Sequence, residues 1–298
     1  MHRTDRKLHS LEKIVVLGAL AAVLFVSVGF AQGAGPKRKN AELPDKMALR
    51  SSVALVQDAA SGETLFAKNS ETVLPIASIT KLMTAIVVLE NGFALDERVA
   101  IAQEDVSATR SARIRGRLPP GSTLSRDELL LLALMASENR AAAALARTAP
   151  GGYDAFIAAM NREADRLGLH DTRFSDPTGL SPDNVSSAQD LVKLVKAAHA
   201  YPLIREYSTR RSAFVKARRG TVGFSNTNSL VRSGSWDIEL SKTGYIHAAG
   251  RCLVMQVRVA SRDLVVVLLD SYGKYSRIGD AQRLRKWLET SVLRESRG

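Results

Sequence analysis

The sequence predicts an α/β domain in which an antiparallel sheet, built from both ends of the chain, accompanies a helical middle subdomain. Strand patterns occur near residues 51–69 and again after residue 236, and helical patterns fill most of the segment between them. Strands at both ends of a chain favour a layered fold in which the terminal segments share one sheet. With 298 residues and 45% hydrophobic composition, the chain can bury the core that such a fold needs.

The first residues predict export rather than a packed element. A basic segment precedes an uncharged apolar run at residues 14–30, and the small residue Ala31 follows it. We interpret residues 1–31 as a signal peptide or, because the run approaches the length that spans a bilayer, as an uncleaved N-terminal anchor. The polar, basic residues 32–48 predict a flexible lead-in, which leaves residues 49–298 as the folded domain.

The folded part begins with a predicted β-hairpin and a helix. In "SSVALVQDAASGETLFAKN", two β-rich runs flank a turn that contains Asp58 and Gly62. Residues 78–90 show a helical pattern, which Asn91 and Gly92 end.

The middle of the chain is predicted to be largely α-helical. One leucine-rich helix is expected over "SRDELLLLALMASENRAAAALARTA", with Ser125 as its N-cap and Pro150 just beyond its end. Further helices are predicted over residues 153–167 and 187–200, and the irregular stretch "FSDPTGLSPDN" joins them.

The C-terminal third changes to a strand period. Each of "WDIELSKTGY", "RCLVMQVRVA" and "LVVVLLDS" predicts a strand, with a turn at residues 261–263 between the last two. An amphipathic helix is expected over residues 279–292. These strands would complete the sheet that the N-terminal hairpin begins.

The formal net charge of +12 favours an anionic partner. Basic residues concentrate in two stretches, namely Arg110, Arg113, Arg115 and Arg117, and Arg210, Arg211, Lys216, Arg218 and Arg219. Neither stretch has the interleaved aromatic residues of a nucleic-acid motif, so we expect no nucleic-acid partner. Two interpretations remain open, solvated loop charge and peripheral contact with anionic membrane or wall polymers.

The sequence predicts neither a metal site nor a cofactor. Cys252 is the only cysteine, which excludes an internal disulfide, and its place in a strand favours a small buried residue. His170, His199 and His247 lack the spacing of metal ligands.

The stretch "PIASITKLMTA" carries a candidate nucleophile and its base. Ser78 and Lys81 are three residues apart, so a helix places both on one face. Free backbone N–H groups in the first turn favour a developing oxyanion. Apolar neighbours should lower the pKa of the Lys81 amine, and a neutral amine can accept the serine proton. The alternative is an N-cap serine beside a lysine that extends to solvent.

Two further motifs favour the catalytic interpretation. Ser-Glu-Asn at 137–139 places polar side chains within the leucine-rich helix. Lys-Thr-Gly at 242–244 lies at the end of a predicted strand, where glycine allows a ligand to approach the backbone. Ser-x-x-Lys, Ser-x-Asn and Lys-Thr-Gly occur in this order in penicillin-binding proteins and class A β-lactamases.

By these motifs the chain resembles the serine D-alanyl-D-alanine peptidases, the low-molecular-mass penicillin-binding proteins. The likeness extends over about residues 50–290 and includes "ASITKLMTA", "ASENRAAAALA", "FSDPTGLSPDNVSSAQDL" and "SKTGYIHAAGRCLV". It implies a β-lactamase/transpeptidase-like fold and a periplasmic location. It also implies that peptidoglycan stem peptides are the substrates and that β-lactams are covalent inhibitors.

The resemblance implies roles for individual residues as well. Ser78 would be the acyl-ester nucleophile and Lys81 its proton acceptor. The other implied positions are Ser137, Asn139 and Lys242 as catalytic residues, Lys242, Thr243, Gly244, Tyr245 and Arg277 as substrate-binding residues, and the backbone N–H groups of Ser78 and Tyr245 as the oxyanion hole.

Ser-Glu-Asn-Arg at 137–140 resembles the endopeptidase branch of the family, the penicillin-binding protein seven type. Most carboxypeptidases of the family have glycine and aspartate where Glu138 and Arg140 stand. The stretch after Gly244 is also too short for the additional β-rich domain of those carboxypeptidases. We therefore expect an endopeptidase that cuts cross-links, with a carboxypeptidase, a β-lactamase and a non-catalytic wall-binding module as alternatives. No Glu-x-x-Leu-Asn segment supports deacylation of the class A β-lactamase kind.

Overall fold

The computed structural model describes residues 48–109 and 117–295, with side chains described as far as residue 290. Apart from Ala48, the predicted signal peptide and lead-in lie outside the described residues, and so do residues 110–116 of the first basic stretch. The described residues belong to one compact unit of the chain. None of the helices within the described ranges has the length and apolar composition needed to cross a membrane.

A β-hairpin begins the described chain, short strands and helices alternate through its middle, and three long strands and a final helix end it. The strands are β1 (Ser51–Asp58), β2 (Thr64–Lys68), β3 (Leu74–Pro75), β4 (Arg98–Ala100), β5 (Thr123–Ser125), β6 (Val185–Ser186), β7 (Ser212–Ala217), β8 (Gly220–Ser225), β9 (Asp237–Ile246), β10 (Gly250–Val259) and β11 (Arg262–Ser271). A 3₁₀ turn (Ala77–Thr80) precedes the helices α1 (Lys81–Glu90), α2 (Gln103–Ala108), α3 (Arg126–Met135), α4 (Asn139–Arg147), α5 (Gly152–Arg166), α6 (Ala188–His199), α7 (Pro202–Thr209), α8 (Ser229–Ser233) and α9 (Ser276–Glu295).

Both ends of the chain contribute to one antiparallel sheet, as the sequence predicts. Its strand order is β2-β1-β11-β10-β9, so the N-terminal hairpin pairs with the C-terminal strands through β1 and β11. Strand β9, which carries the Lys-Thr-Gly motif, lies at an edge of this sheet. The 3₁₀ turn with Ser78 contacts that edge strand.

Alternating residues of the sheet supply two hydrophobic cores, one on each face. Cys252 and Val254 of β10 face the core formed with the helical middle of the chain. Leu253 and Met255 face the other core, which α9 covers with residues such as Leu284. Because both faces are covered, the middle parts of β10 and β11, residues 252–255 and 264–269, are apolar and buried.

The predicted single helix over residues 125–149 is wrong, because the chain breaks between α3 and α4. Ser137 has a left-handed backbone with φ 56°, which a continuous helix does not allow. The Glu138 side chain then accepts a hydrogen bond from the backbone N–H of Arg140 and caps α4. The Ser-Glu-Asn motif therefore lies at a helix break, not within a helix.

Other differences lie at turns and in short elements. The turn between β10 and β11 consists of Ala260 and Ser261, with φ 50° and 64°, so Arg262 already belongs to β11. Helix α9 begins three residues earlier than predicted, at Ser276. The sequence analysis also missed α7 and the β7–β8 hairpin.

Candidate active site

Ser78 and Lys81 lie next to each other in a buried environment. Ser78 belongs to the 3₁₀ turn, Lys81 begins α1, and Lys81 Nζ is 3.0 Å from Ser78 Oγ. The Ser78 side chain retains a small exposure of 8%, whereas Lys81 is completely buried. The predicted pair therefore meets at hydrogen-bonding distance, with only the serine open to a ligand.

Lys81 has two further partners. Its Nζ lies 2.7 Å from Asn139 Oδ1 and 2.5 Å from the carbonyl oxygen of Thr178. As an ammonium it donates to all three oxygens. As a neutral amine it keeps two N–H groups for Asn139 and Thr178, and its lone pair can accept a hydrogen bond from the Ser78 hydroxyl.

Burial lowers the pKa of Lys81 to about 7, because desolvation disfavours the ammonium. The carboxylates of Asp176 and Glu138 act in the opposite direction and favour the charged form. A buried lysine with a pKa close to neutrality can both take up and release a proton at physiological pH.

The break between α3 and α4 brings the second motif to the same place. Lys242 Nζ lies 2.8 Å from Ser137 Oγ, while Asn139 contacts Lys81. Two sets of hydrogen bonds, Ser78–Lys81–Asn139 and Ser137–Lys242, thus lie side by side, because Ser137 and Asn139 are two residues apart on the same break. Ala77 and Ser137 hold left-handed backbone conformations, φ 48° and 56°, which non-glycine residues rarely adopt and which often occur at functional sites.

Lys242 is as buried as Lys81, and its pKa is also lowered. Desolvation is the main cause, and the positive charges of Lys81 and Arg277 lower the pKa further. An anion that arrived beside Lys242 would favour its ammonium form. The charge on Lys242 is therefore expected to depend on whether a ligand is present.

The edge strand β9 carries the third motif against the Ser78 turn. A Cβ atom on Gly244 would lie 2.9 Å from the Ile76 carbonyl oxygen and 3.2 Å from Ser78 N, so only glycine fits without displacing the backbone. Thr243 Oγ1 lies 2.6 Å from Thr227 Oγ1, and the Tyr245 side chain is 45% exposed.

Arg277 lies close to this strand, in the first turn of α9. Its Nη1 donates to the Gly244 carbonyl oxygen at 3.2 Å. Burial lowers the pKa of Arg277 to about 10, with Arg251 as a further cause, so the guanidinium keeps its charge at neutral pH. Its Nε atom is buried and has no hydrogen-bond partner among the described residues.

Comparison with known proteins identifies the family. The sequence profile described as D-alanyl-D-alanine carboxypeptidase, peptidase S11, matches residues 38–273. The chain belongs to this family. A D-alanyl-D-alanine endopeptidase of Pseudomonas aeruginosa is 47% identical over 280 residues, which cover 93% of this chain and 89% of that protein. A D-alanyl-D-alanine endopeptidase of Escherichia coli is 44% identical over 273 residues, which cover 91% of this chain and 87% of that protein.

Solved structures share the fold of this peptidase S11 chain. The DD-transpeptidase of Streptomyces K15 has a TM-score of 0.73 at 27% identity, over 80% of this chain and 97% of that one. A D-alanyl-D-alanine carboxypeptidase from Mycobacterium tuberculosis has a TM-score of 0.73 at 28% identity, over 83% of this chain and 92% of that one. The predicted fold class and the predicted family are both confirmed.

The site of this S11 family member contains a turn whose contact with Lys81 the sequence analysis missed. In "FSDPTGLSPDN", the Asp176 carboxylate accepts hydrogen bonds from the backbone N–H groups of Thr178, Gly179 and Ser181. This ordered turn directs the Thr178 carbonyl at Lys81. The sequence signal for this turn is an aspartate followed within three residues by glycine, which is a common turn pattern. That pattern predicts the turn but not its contact with Lys81.

Glu138 is the second missed group of this S11 site. Its carboxylate is 6% exposed and accepts the backbone N–H groups of Arg117 and Arg140. Desolvation raises the pKa of Glu138, and these two N–H groups lower it. Within the described residues, no group of three or more histidine, cysteine or acidic side chains is arranged to hold a metal ion.

Proposed function

We propose that the chain is a serine D,D-peptidase that hydrolyses D-alanine-containing peptide bonds of peptidoglycan through an acyl-enzyme, acting chiefly as an endopeptidase on cross-links. The observation that carries this proposal is the 3.0 Å contact between Ser78 Oγ and the fully buried Lys81, whose pKa is about 7. The names of the bacterial relatives, D-alanyl-D-alanine endopeptidases at 47% and 44% identity, support the choice of bond.

Acylation begins with the transfer of the Ser78 proton. Because burial lowers the pKa of Lys81 to about 7, the neutral amine is accessible at neutral pH. The neutral amine, held by Asn139 and Thr178, accepts the proton from Ser78 Oγ as this oxygen attacks the carbonyl of the penultimate D-alanine. Because the lysine is already desolvated, it needs no water to leave before the transfer.

The developing oxyanion is stabilised by the backbone N–H groups of Ser78 and Tyr245. The close approach of Gly244 to Ser78 N brings the edge strand and the 3₁₀ turn together, which supports this assignment. Asn139 Oδ1 is occupied by Lys81, so its Nδ2 group holds the substrate amide.

The leaving amine receives its proton through Ser137. The Ser137 hydroxyl accepts a hydrogen bond from Lys242 at 2.8 Å, which leaves its own proton free to be donated to the departing nitrogen. The proton that Lys81 took from Ser78 passes to Ser137 and replaces the one given to the departing amine, so Lys81 is neutral again. It then takes a proton from the hydrolytic water as this attacks the ester carbonyl, and that proton returns to Ser78 Oγ when the ester bond breaks.

A substrate carboxylate binds to Thr243, Lys242 and Arg277. Arg277 remains charged at neutral pH and has an unpartnered Nε within the described residues. The carboxylate raises the pKa of Lys242, because an opposite charge favours its ammonium form. Substrate binding thus favours the ammonium form of Lys242, and this positive charge lies next to Ser137.

The protein is exported and acts on stem peptides in the periplasm, and β-lactams acylate Ser78. The deciding experiment incubates the exported domain with purified cross-linked muropeptide dimers and follows the products by mass spectrometry. We expect dimers to be converted to monomers, with Ser78→Ala inactive. Loss of a terminal D-alanine from monomeric pentapeptides, with dimers intact, would show a carboxypeptidase instead.

A labelled penicillin separates the peptidase from a β-lactamase. We expect Ser78 to become labelled and to keep its label during a long chase in unlabelled buffer. Rapid loss of the label together with hydrolysed penicillin would favour the β-lactamase. Absence of both label and turnover in a folded protein would favour a non-catalytic binding module.

A further inference from the structure

The basic residues of the second stretch lie just before the β7–β8 hairpin, on its outward face and at its turn. Between Glu206 and Asp237 the chain contains six basic residues and no acidic residue. The hairpin buries Val215 and Phe224 in the main core, while residues that alternate with them face solvent. All six basic side chains are exposed, and they are Arg210, Arg211, Lys216, Arg218, Arg219 and Arg232.

The fold brings Arg117, the last residue of the first basic stretch, against this hairpin. The Arg117 guanidinium lies 4.8 Å from the centre of the Phe224 ring on β8. The Arg218 backbone N–H donates to Ser122 Oγ at 3.1 Å. Within the described residues, no ion pair joins Arg117, Lys216, Arg218 or Arg219 to a carboxylate, so their charge is available to a partner.

An exposed aromatic ring lies on the outward face of the same hairpin, beside Lys216. Phe214 is 77% exposed and pairs across the hairpin with Gly223. A Cβ atom on Gly223 would lie 2.8 Å from the Phe214 ring, so the ring covers the glycine backbone and turns its other face to solvent. We call Arg117, Phe214, Lys216, Arg218 and Arg219 the hairpin surface.

The base of the hairpin is bonded to the site. Thr227 follows β8 by two residues, and its Oγ1 atom is 2.6 Å from Thr243 Oγ1. Its backbone N–H donates to the carbonyl oxygen of Met135 at the end of α3. The Arg117 backbone N–H donates to Glu138. The hairpin surface is therefore attached to both motifs that border the cleft.

We propose that the hairpin surface is a second binding site, which holds a strand of cross-linked peptidoglycan while one of its peptides occupies the cleft. This inference rests on the proposed action on peptidoglycan. That polymer combines sugar rings, whose apolar faces pack on aromatic rings, with peptide carboxylates that complement the basic side chains.

A lipid bilayer fits the hairpin surface less well. Membrane-bound surfaces present several neighbouring apolar side chains to the acyl chains. Phe214 stands alone on its face, where Ser212, Lys216, Thr221 and Ser225 are the exposed neighbours. The surface is thus suited to a hydrated polyanion that carries sugar rings.

The test measures sedimentation of the protein with purified peptidoglycan sacculi in a Ser78→Ala background, so that the polymer stays intact. Replacing Lys216, Arg218 and Arg219 by glutamine should weaken binding roughly tenfold at low salt. The matched control replaces Arg162, Lys196 and Lys286, which are exposed on other helices, and should leave binding within about twofold of the parent. Equal weakening by both triple variants would overturn the proposal, since only net charge would then matter.

Phe214→Ala tests the aromatic contribution. We expect roughly threefold weaker binding that persists at high salt, where the charge contribution is screened. In the active protein, both hairpin variants should cleave a short soluble peptide at the parental rate but release peptides from sacculi more slowly. If both variants bound sacculi as well as the parent does, the proposal of a wall-polymer site would be contradicted. The same holds if the parent bound vesicles of phosphatidylglycerol and phosphatidylethanolamine and the variants lost only that binding.

The two proposals fail separately. Binding in the Ser78→Ala background does not need turnover, so an effect of the hairpin variants would stand even if dimers were not cleaved. Conversely, if dimers were cleaved but the hairpin variants bound sacculi like the parent, the proposed peptidase activity would stand and the proposed second binding site would be wrong.

Discussion

Gly179 lies so close to Ala77 that a Cβ atom on it would be 2.0 Å from the Ala77 carbonyl oxygen. The same atom would be 2.8 Å from the backbone nitrogen of Ser78. The turn that positions the Thr178 carbonyl therefore packs directly against the backbone of Ser78, the proposed nucleophile. The Thr178 carbonyl and Ser78, which both contact Lys81, are therefore held together by packing of main-chain atoms.

Gly179→Ala should lower the free energy of unfolding by about 2–4 kcal/mol and strongly slow labelling by penicillin. The new methyl group overlaps with backbone atoms, so the Ser78 turn must shift. Gly62→Ala is the matched control, because Gly62 has a similar φ of 73° but nothing within 4 Å of its Cβ position. It should cost about 1 kcal/mol through backbone strain. Equal costs in urea unfolding would show that the packing contact is unimportant.

The rate of acylation should rise with pH through about 7 and level off above it, because Lys81 accepts a proton only as the neutral amine. The measurement is the initial rate of labelling by a fluorescent penicillin across the pH range, with unfolding monitored in parallel. A rate that falls as the pH rises through 7, in protein that remains folded, would exclude Lys81 as the base.

Glu138→Gln should move the midpoint of this pH profile to lower pH. The Glu138 carboxylate favours the ammonium form of Lys81, so removing its charge lowers the pKa of Lys81. Asp176 continues to raise that pKa, and Lys242 faces the same cluster as an additional cationic group. The variant should also lose about 1 kcal/mol of stability, since Glu138 caps α4.

The control for Glu138 is Glu71→Gln, which removes an exposed carboxylate. It should change neither the midpoint nor the stability. A Glu138→Gln profile that is lower in rate but unshifted in pH would mean that Glu138 acts only by holding the turn.

Arg277→Gln should reduce kcat/KM for a peptide with a free terminal carboxylate by about 10- to 100-fold, the value of one hydrogen bond to a charged group. The same peptide as its C-terminal amide should be cleaved at equal rates by the variant and the parent. Lys286→Gln, an exposed position on the same helix, is the control. Equal losses for both peptides would show that Arg277 supports the fold and does not bind the carboxylate.

Much of the fold is predictable because its determinants are local. The apolar runs in β10 and β11 and the turn residues between β1 and β2 predict the strands that the structure contains. The break at Ser137 was not predictable in this way. The surrounding leucines and alanines favour helix, whereas contacts with Lys242, Arg117 and Lys81 act on the break from elsewhere in the chain.

The sequence by itself determined the family, the sheet made from both chain ends, and the residue types that the chemistry requires. Only the tertiary structure decided that Asn139 and the Thr178 carbonyl hold Lys81, that Lys242 contacts Ser137 beside them, and that Arg117 lies against the hairpin. The physical reason is that strand and helix patterns depend on neighbours along the chain. The pKa of a buried lysine and the convergence of charges depend on groups brought together by packing.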